Sequence, residues 1–501
     1  MERKSGVLLN ISSLPGRFGI GGFSMEAENF IEEIASMGFG IWQTLPITTI
    51  GMGNSPYSGI SSFAGNYLYI DPTRIGDGLV TGEEINNAVY HGDIYLTDYD
   101  FVKYAKTNLL KTAYSRITSD VQTEIDKFRA KNAYWLDDYA VFMCLQQKFE
   151  GKPWIEWEEK YRHYSKKLIA EYLKDNFAEV NYYFFEQYLF FSQWARIKEY
   201  AKSRNIQIFG DLPIYVSYDS VDVWSNTRVF QLDEDLKPKK VAGVPPDYFA
   251  ENGQKWGNPL YDYAEMEKDG YKWWVNRISH ALKLYDILRI DHFRGLYKYW
   301  SVNADAPNAK EGEWEDGPKL KLFDAVRKVI PEPNIVAEDL GLIDKDVEEF
   351  LTLSGYPGMR VFQFGFDGDV NNKHLPHNYH PECVAYTGTH DNDTSLGWLL
   401  SLDHYTREHV FNYVNCESGQ GWASGAGSCR ATKALLRCVL SSCAQVAIIP
   451  MQDLCGYGSD TRMNVPGQAE GCWRYRTNYS AISSVDKDFI KNMNKIYGRC
   501  L

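Results

Sequence analysis

The stretch ILRIDHFRG, Ile287 to Gly295, decides how the rest of the chain is read. Ile287 to Ile290 is a short run of apolar residues broken by one arginine, and Asp291 closes it. Alternate residues of an extended chain share a face, so Arg289 and Asp291 point the same way. A run this short, bounded by turn residues, suits a strand covered on both faces. The same form recurs at Val7–Leu9, Ile41–Leu45, Ile206–Phe209, Ile335–Ala337, Val361–Phe364, Val384–Tyr386 and Val446–Ile449. That makes eight strands.

Helical patterns lie between several of them. Ser24 is placed to cap a helix whose apolar face is Ala27, Phe30, Ile31 and Ile34, with Gly38 as its stop. Asp344–Thr352 and Arg430–Cys443 read in the same way. Eight strands alternating with helices predict an α/β fold, a (β/α)8 TIM barrel. Residues 1–501 are therefore expected to form a single barrel domain with large inserted subdomains. Roughly 160 residues separate the second and third runs, far beyond one βα unit. Segment 85–205 is expected to be a mainly helical insertion, with helices over Trp135–Phe149, Glu158–Asn176 and Phe185–Ser203. Segment 215–280, rich in Pro, Gly, Asp and aromatics, is expected to be a loop-rich insertion between strands three and four. Both belong at the mouth formed by the strand C-termini, where barrel enzymes place their chemistry.

Composition narrows the function classes. The net charge of −13 repels polyanions, which excludes nucleic acid and an anionic membrane surface as partners. Val7–Leu9 is too short for a signal-peptide core, and Cys438–Met451 is far short of the ~20 residues of a membrane span. A cytoplasmic protein is expected. Nine cysteines without a C-x-x-C pair or histidines in ligand spacing read as reduced thiols, so no metal and no cofactor are expected. Aromatics make up 15 % of the chain, and their flat faces suit sugar rings as well as a core. No cue to an oligomeric state appears.

Three acids stand where a barrel exposes its chemistry: Asp291 after the fourth strand, Glu338 after the fifth, and Asp391 beyond the seventh. Cleaving an acetal needs a proton for the leaving oxygen and a partner for the oxocarbenium-like carbon. A protonated and an ionised carboxyl supply both, and a spacing of about 5–5.5 Å favours a covalent, retaining route. Arg289 is placed to hold Asp291 ionised, whereas Glu338, beside that charge, keeps its proton. A single Asp at a strand end is more often a helix cap; three acids on three strands are not explained that way. His390, next to Asp391, adds a donor for sugar hydroxyls.

LRIDHFRG (288–295), AEDLG (337–341) and TGTHD (387–391) resemble the three carboxylate motifs of the α-amylase clan. Within that clan the chain resembles the amylomaltase family, glycoside hydrolase family 77, whose activity is 4-α-glucanotransfer. Further similar segments are SPYSGISSFAGN (55–66), GDLPIYV (210–216), GVPPDYFAENGQKWGNP (243–259), GMRVFQF (358–364), QGWASGAG (420–427) and PMQDLCGYGSDTRMNVPG (450–467). The resemblance implies Asp291 as nucleophile, Glu338 as acid/base and Asp391 as the carboxylate that grips the cleaved sugar. It implies that Arg289 and His390 surround that subsite, and that Tyr57, Asp211, Asp247, Phe249, Gln254, Trp256 and Asn464 bind substrate. It also implies a lid at Asp247–Trp256 and maltooligosaccharide or α-glucan substrates. Cys472 stands where the family has Asn, and Cys455 interrupts an otherwise family-like loop. Residue chemistry alone leaves hydrolysis and transfer both open, since water and a sugar hydroxyl can each resolve a glucosyl-enzyme; the preference for transfer comes from the resemblance.

Overall fold

The computed structural model describes residues 2–246, 251–341, 343–468 and 470–500. Eight strands form one sheet: β1 Lys4–Leu8, β2 Ile41–Gln43, β3 Gln207–Leu212, β4 Ile287–Ile290, β5 Ile335–Ala337, β6 Gly358–Val361, β7 Cys383–Tyr386 and β8 Val446–Pro450. Except for β5 and β6, each pairs in parallel with its neighbours in chain order, and β8 pairs with β1. The seam between β5 and β6 is joined by the Ala337 N–H, which donates to the Pro357 carbonyl at 2.9 Å. The sheet thus curls into a (β/α)8 barrel whose strands are almost wholly buried, as a parallel sheet wrapped by helices requires.

The helix at Met25–Ser36 shows how sequence becomes element. The Ser24 side chain accepts the Glu26 N–H, Ala27, Phe30, Ile31 and Ile34 are buried, and Gly38 takes a φ of 81° just past the end. Gly210 in β3 is required for a different reason. A Cβ there would lie 2.1 Å from the Tyr285 ring, so β3 and the residue leading into β4 approach as closely as they do only with glycine.

Some elements differ from expectation. The sixth strand lies at Gly358–Val361, not Val361–Phe364, and residues Phe362–Gly365 form a 3-10 turn instead. The buried Asp339 carboxylate fixes this register by accepting the Met359 N–H at 2.6 Å and the Arg360 guanidinium at 2.9 Å. Glu158–Asn176 is two helices, Glu159–Arg162 and Lys166–Asp175. Ser165 caps the second, and Tyr164 turns its hydroxyl to Asp138. The helix Phe177–Ser203 begins eight residues before its sequence pattern becomes amphipathic, because it is buried on several sides and needs no polar face there.

A second sheet was not anticipated. Strands Gln254–Pro259, Lys240–Val244, Lys298–Asn303 and Gly312–Asp316 pair antiparallel in that order. Two of them lie in segment 215–280 and two follow β4, so this sheet sits on the chain beside Asp291. Gly312–Asp316 is nearly all exposed and acidic, and carries no apolar run to mark it as a strand. All nine cysteines are free. Among the described residues no helix is long and apolar enough to cross a membrane.

Candidate active site

The register of the barrel builds the site. Asp211 in β3 pairs with Arg289 in β4, and Ile290 pairs with Ala337 in β5. The next residues along β4 and β5 are Asp291 and Glu338, so both emerge at the same rim. Ladder bonds hold them there: the Asp291 N–H donates to Leu212 O at 3.0 Å and the Glu338 N–H to Ile290 O at 3.1 Å. His292 then adopts a left-handed φ of 49°, and its N–H donates to Glu338 Oε2 at 2.7 Å. A second backbone donor, Leu340 N–H, reaches Glu338 Oε1 at 2.7 Å. The Glu338 carboxyl is thus locked against the backbone that follows Asp291.

The two carboxyls have opposite surroundings. Asp291 Oδ1 lies 2.8 Å from Arg289 Nη2 and its side chain is 30 % exposed, whereas Glu338 is 8 % exposed and makes no ion pair among the described residues. Burial and, after it, the Asp291 charge raise Glu338 to about 8, with Arg289 and the two backbone donors opposing them without prevailing. Burial also raises Asp291, and here the Arg289 guanidinium in direct contact opposes it. The pair titrates as one unit in which Asp291 gives up its proton first.

Arg289 is itself shared. Its Nη1 lies 2.9 and 2.7 Å from the two oxygens of Asp211. Asp211 also accepts the Tyr57 hydroxyl at 2.6 Å, and burial holds that hydroxyl well above the ordinary tyrosine range, so it stays a donor. The Tyr57 ring stacks on the His390 imidazole, centroids 5.1 Å apart and planes within 9°. His390 Nε2 lies 3.4 Å from Asp391 Oδ1, which also accepts the Asn464 amide at 2.6 Å. Asp391 is 43 % exposed, and among the described residues its second oxygen has no hydrogen-bond partner. The Trp256 indole, from the antiparallel sheet, stands edge-to-face on His292 at 4.9 Å and is 38 % exposed, with its Nε1–H on Gln254 Oε1 at 3.2 Å. Burial drives His292 down to about 3, so this ring is neutral.

The chain that carries this site is similar to known proteins over nearly its whole length. The family model described as 4-alpha-glucanotransferase matches residues 9–481. The 4-alpha-glucanotransferase of Clostridium butyricum is 40 % identical over 495 residues, covering 98 % of this chain and 100 % of its own. That of Aquifex aeolicus (strain VF5) is 39 % identical over 500 residues, with 99 % of each covered. The chain belongs to the 4-alpha-glucanotransferase family. Among solved structures, the Streptococcus agalactiae amylomaltase in complex with acarbose superposes with a TM-score of 0.94 at 35 % identity over 100 % of both chains. The Corynebacterium glutamicum amylomaltase is 18 % identical with a TM-score of 0.74, covering 99 % of this chain and 74 % of its own, and shares the fold.

Within this family member the structure brings together Tyr57, Asp211, Arg289, Asp291, Glu338, His390, Asp391 and Asn464, with Gln254 and Trp256 beside His292. Asp247 and Phe249 lie outside the described residues. Asp211 departs from its expected place among sugar-binding groups: it is 3 % exposed and both its oxygens are taken by Arg289 and Tyr57. The need to neutralise a buried guanidinium turns it inward. Sequence reasoning missed Trp473, whose ring lies 5.7 Å from Tyr57 and 5.9 Å from His390. It also missed Arg462, which donates to the Asp391 carbonyl at 2.6 Å. Neither has a spacing signal, because each arrives from a distant loop. The two departures from the family pattern are both tucked away: the Cys472 thiol accepts the Val465 N–H, and Cys455 is fully buried against Ala481.

Breaking a buried pair by removing one partner leaves an uncompensated charge, a loss of about 3–5 kcal/mol. Arg289→Met is therefore expected to lower the thermal unfolding midpoint, and adding Asp211→Asn to recover part of it. A double variant no more stable than Arg289→Met alone contradicts the pairing.

Proposed function

We propose that this protein transfers α-1,4-glucan segments from a maltooligosaccharide donor to the 4-hydroxyl of an acceptor glucan or glucose, by double displacement on Asp291 and Glu338. The observation that carries the reading is the contrast between the two carboxyls: one against a guanidinium at 2.8 Å, the other buried and pushed up to about 8. Ionised Asp291 attacks the anomeric carbon, and the bond to the glycosidic oxygen breaks as that oxygen takes the Glu338 proton. The departing chain leaves with a new hydroxyl, and the donor remains as a glucosyl ester of Asp291. Glu338, now a carboxylate, accepts the proton of an incoming 4-hydroxyl whose oxygen displaces Asp291. The α configuration is inverted twice and so retained.

Asp391 has one oxygen fixed by Asn464 and His390 and one exposed, which suits gripping the hydroxyls of the ring being cleaved. Trp256, partly exposed above the turn that follows Asp291, offers a flat face for an acceptor sugar. Holding an acceptor there raises its effective concentration over water, which favours transfer over hydrolysis. Membership of the 4-alpha-glucanotransferase family supports the same preference.

Maltotriose incubated with the enzyme is expected to yield glucose together with a ladder of longer oligosaccharides. Glucose and maltose without chain lengthening would make it a hydrolase. The pH profile of kcat/KM is expected to be bell-shaped. Activity needs Asp291 ionised and Glu338 protonated, so the alkaline limb falls through about pH 8 as Glu338 loses its proton, and the acid limb lies above the ordinary aspartate range. A rate still rising above pH 9 contradicts Glu338 as the proton donor.

A further inference from the structure

The segment after β8 holds a carboxylate that the mechanism does not use. Asp453, in the short helix Met451–Cys455, is 1 % exposed, and among the described residues it forms no ion pair. A buried carboxylate without a cation persists only where hydrogen bonds replace its water. Three donors do so here. Ser395 N–H reaches Oδ1 at 2.6 Å, while the hydroxyls of Thr387 and Ser395 reach Oδ2 at 2.5 and 2.7 Å. Thr387 follows the last residue of β7 and Ser395 begins the next helix, so this one carboxylate ties together both ends of loop 388–394. That loop carries His390 and Asp391.

Other contacts organise the loop without closing its base. Asn392 Oδ1 accepts Thr389 N–H and Oγ1–H, both at 2.9 Å. Ser459 donates to Asp393 Oδ2 at 2.7 Å, and Arg462 and Asn464 reach Asp391 from the same post-β8 segment. The fit is tight: a Cβ on Gly397 would lie 2.3 Å from Ser459 Oγ. Asp453 is the anchor from which this segment reaches the loop.

We propose that Asp453 is a positioning residue for the reaction, setting the height and orientation of Asp391 by clamping the base of its loop. The proposal rests on the reading of Asp391 as the group that grips the cleaved sugar. It predicts an energetic coupling between two residues 62 positions apart in sequence, not simply a loss of stability.

The test is a double-mutant cycle read by acarbose binding in a calorimeter, using wild type, Asp391→Asn, Asp453→Ala and the double variant. If Asp453 acts through Asp391, Asp453→Ala weakens acarbose about 10-fold or more in the wild-type background and has almost no further effect beside Asp391→Asn. Equal losses in both backgrounds overturn the proposal. Asp453→Asn is expected to recover part of the affinity and of the maltotriose transfer rate. Its carbonyl still accepts Ser395 N–H, and the two hydroxyls can rotate to accept from its amide. Should Asp453→Ala not fold, Thr387→Val, which removes one donor and leaves the carboxylate, takes its place in the cycle with the same two outcomes. Maltotriose turnover separates the two readings: a normal rate in Asp391→Asn removes the role of Asp391 and the proposal with it. A dead Asp391→Asn beside a fully active Asp453→Ala removes the proposal alone.

Discussion

One guanidinium sets the electrostatics of the whole site. Arg289 sits near the top of the barrel, 4 % exposed, and a cation so placed must be met by anions. Asp211 from the neighbouring strand meets it with both oxygens, and Asp291 from its own strand shares it. Locally that is one positive charge and two negative ones. Glu338 alongside is 8 % exposed, and its burial, reinforced by the Asp291 charge, keeps its proton to about 8. Two unit charges about 4 Å apart at an effective dielectric near 20 interact by roughly 4 kcal/mol, less than a rise from 4.5 to about 8 requires, so burial carries the larger part of it. The division between a carboxylate and a carboxylic acid therefore follows from the burial of Glu338 and from the direct contact of Arg289 with Asp291.

The same cluster reaches Asp391. Asp211, held by Arg289, orients the Tyr57 hydroxyl; the Tyr57 ring then stacks on His390, and His390 stands beside Asp391. Strands β3, β4, β5 and β7 are thereby joined through side chains above the sheet as well as through the ladder beneath it. The loop carrying Asp391 is held from the far side by the segment after β8. Each of the three acids is thus braced by a neighbour: Asp291 by Arg289 of its own strand, Glu338 by the backbone that follows β4, and Asp391 by Asn464. Asp391 and Trp256 are the most exposed of these groups.

Much of this was legible in the chain. Runs such as Ile287–Ile290 and Ile335–Ala337 mark strands because both faces are buried, and the acids that end them fall at the rim by strand geometry alone. The alternation of Arg289 and Asp291 correctly foretold their contact. Where the reading slipped, a tertiary contact outweighed a local pattern. Met359 and Arg360 sit in β6 because Asp339 captures them, while the more apolar Phe362–Phe364 stretch turns away. The antiparallel sheet beside the cleft was not legible because Gly312–Asp316 is polar and exposed. Asp211 looked like a sugar ligand until its partner was visible. Trp473, Arg462 and Asp453 carry no signal in spacing, since what matters is the loop each one meets.

The central claim, that Asp291 forms the bond to glucose while Glu338 handles the proton, is tested most directly by trapping the intermediate. In Glu338→Gln an α-glucosyl fluoride needs no acid to lose fluoride, but the resulting ester lacks the base that would help an acceptor remove it. Mass spectrometry of the digested protein is expected to find one added glucosyl group on the peptide spanning Asp291. A label on Asp391 instead, or unlabelled protein that still consumes the fluoride, would contradict the account.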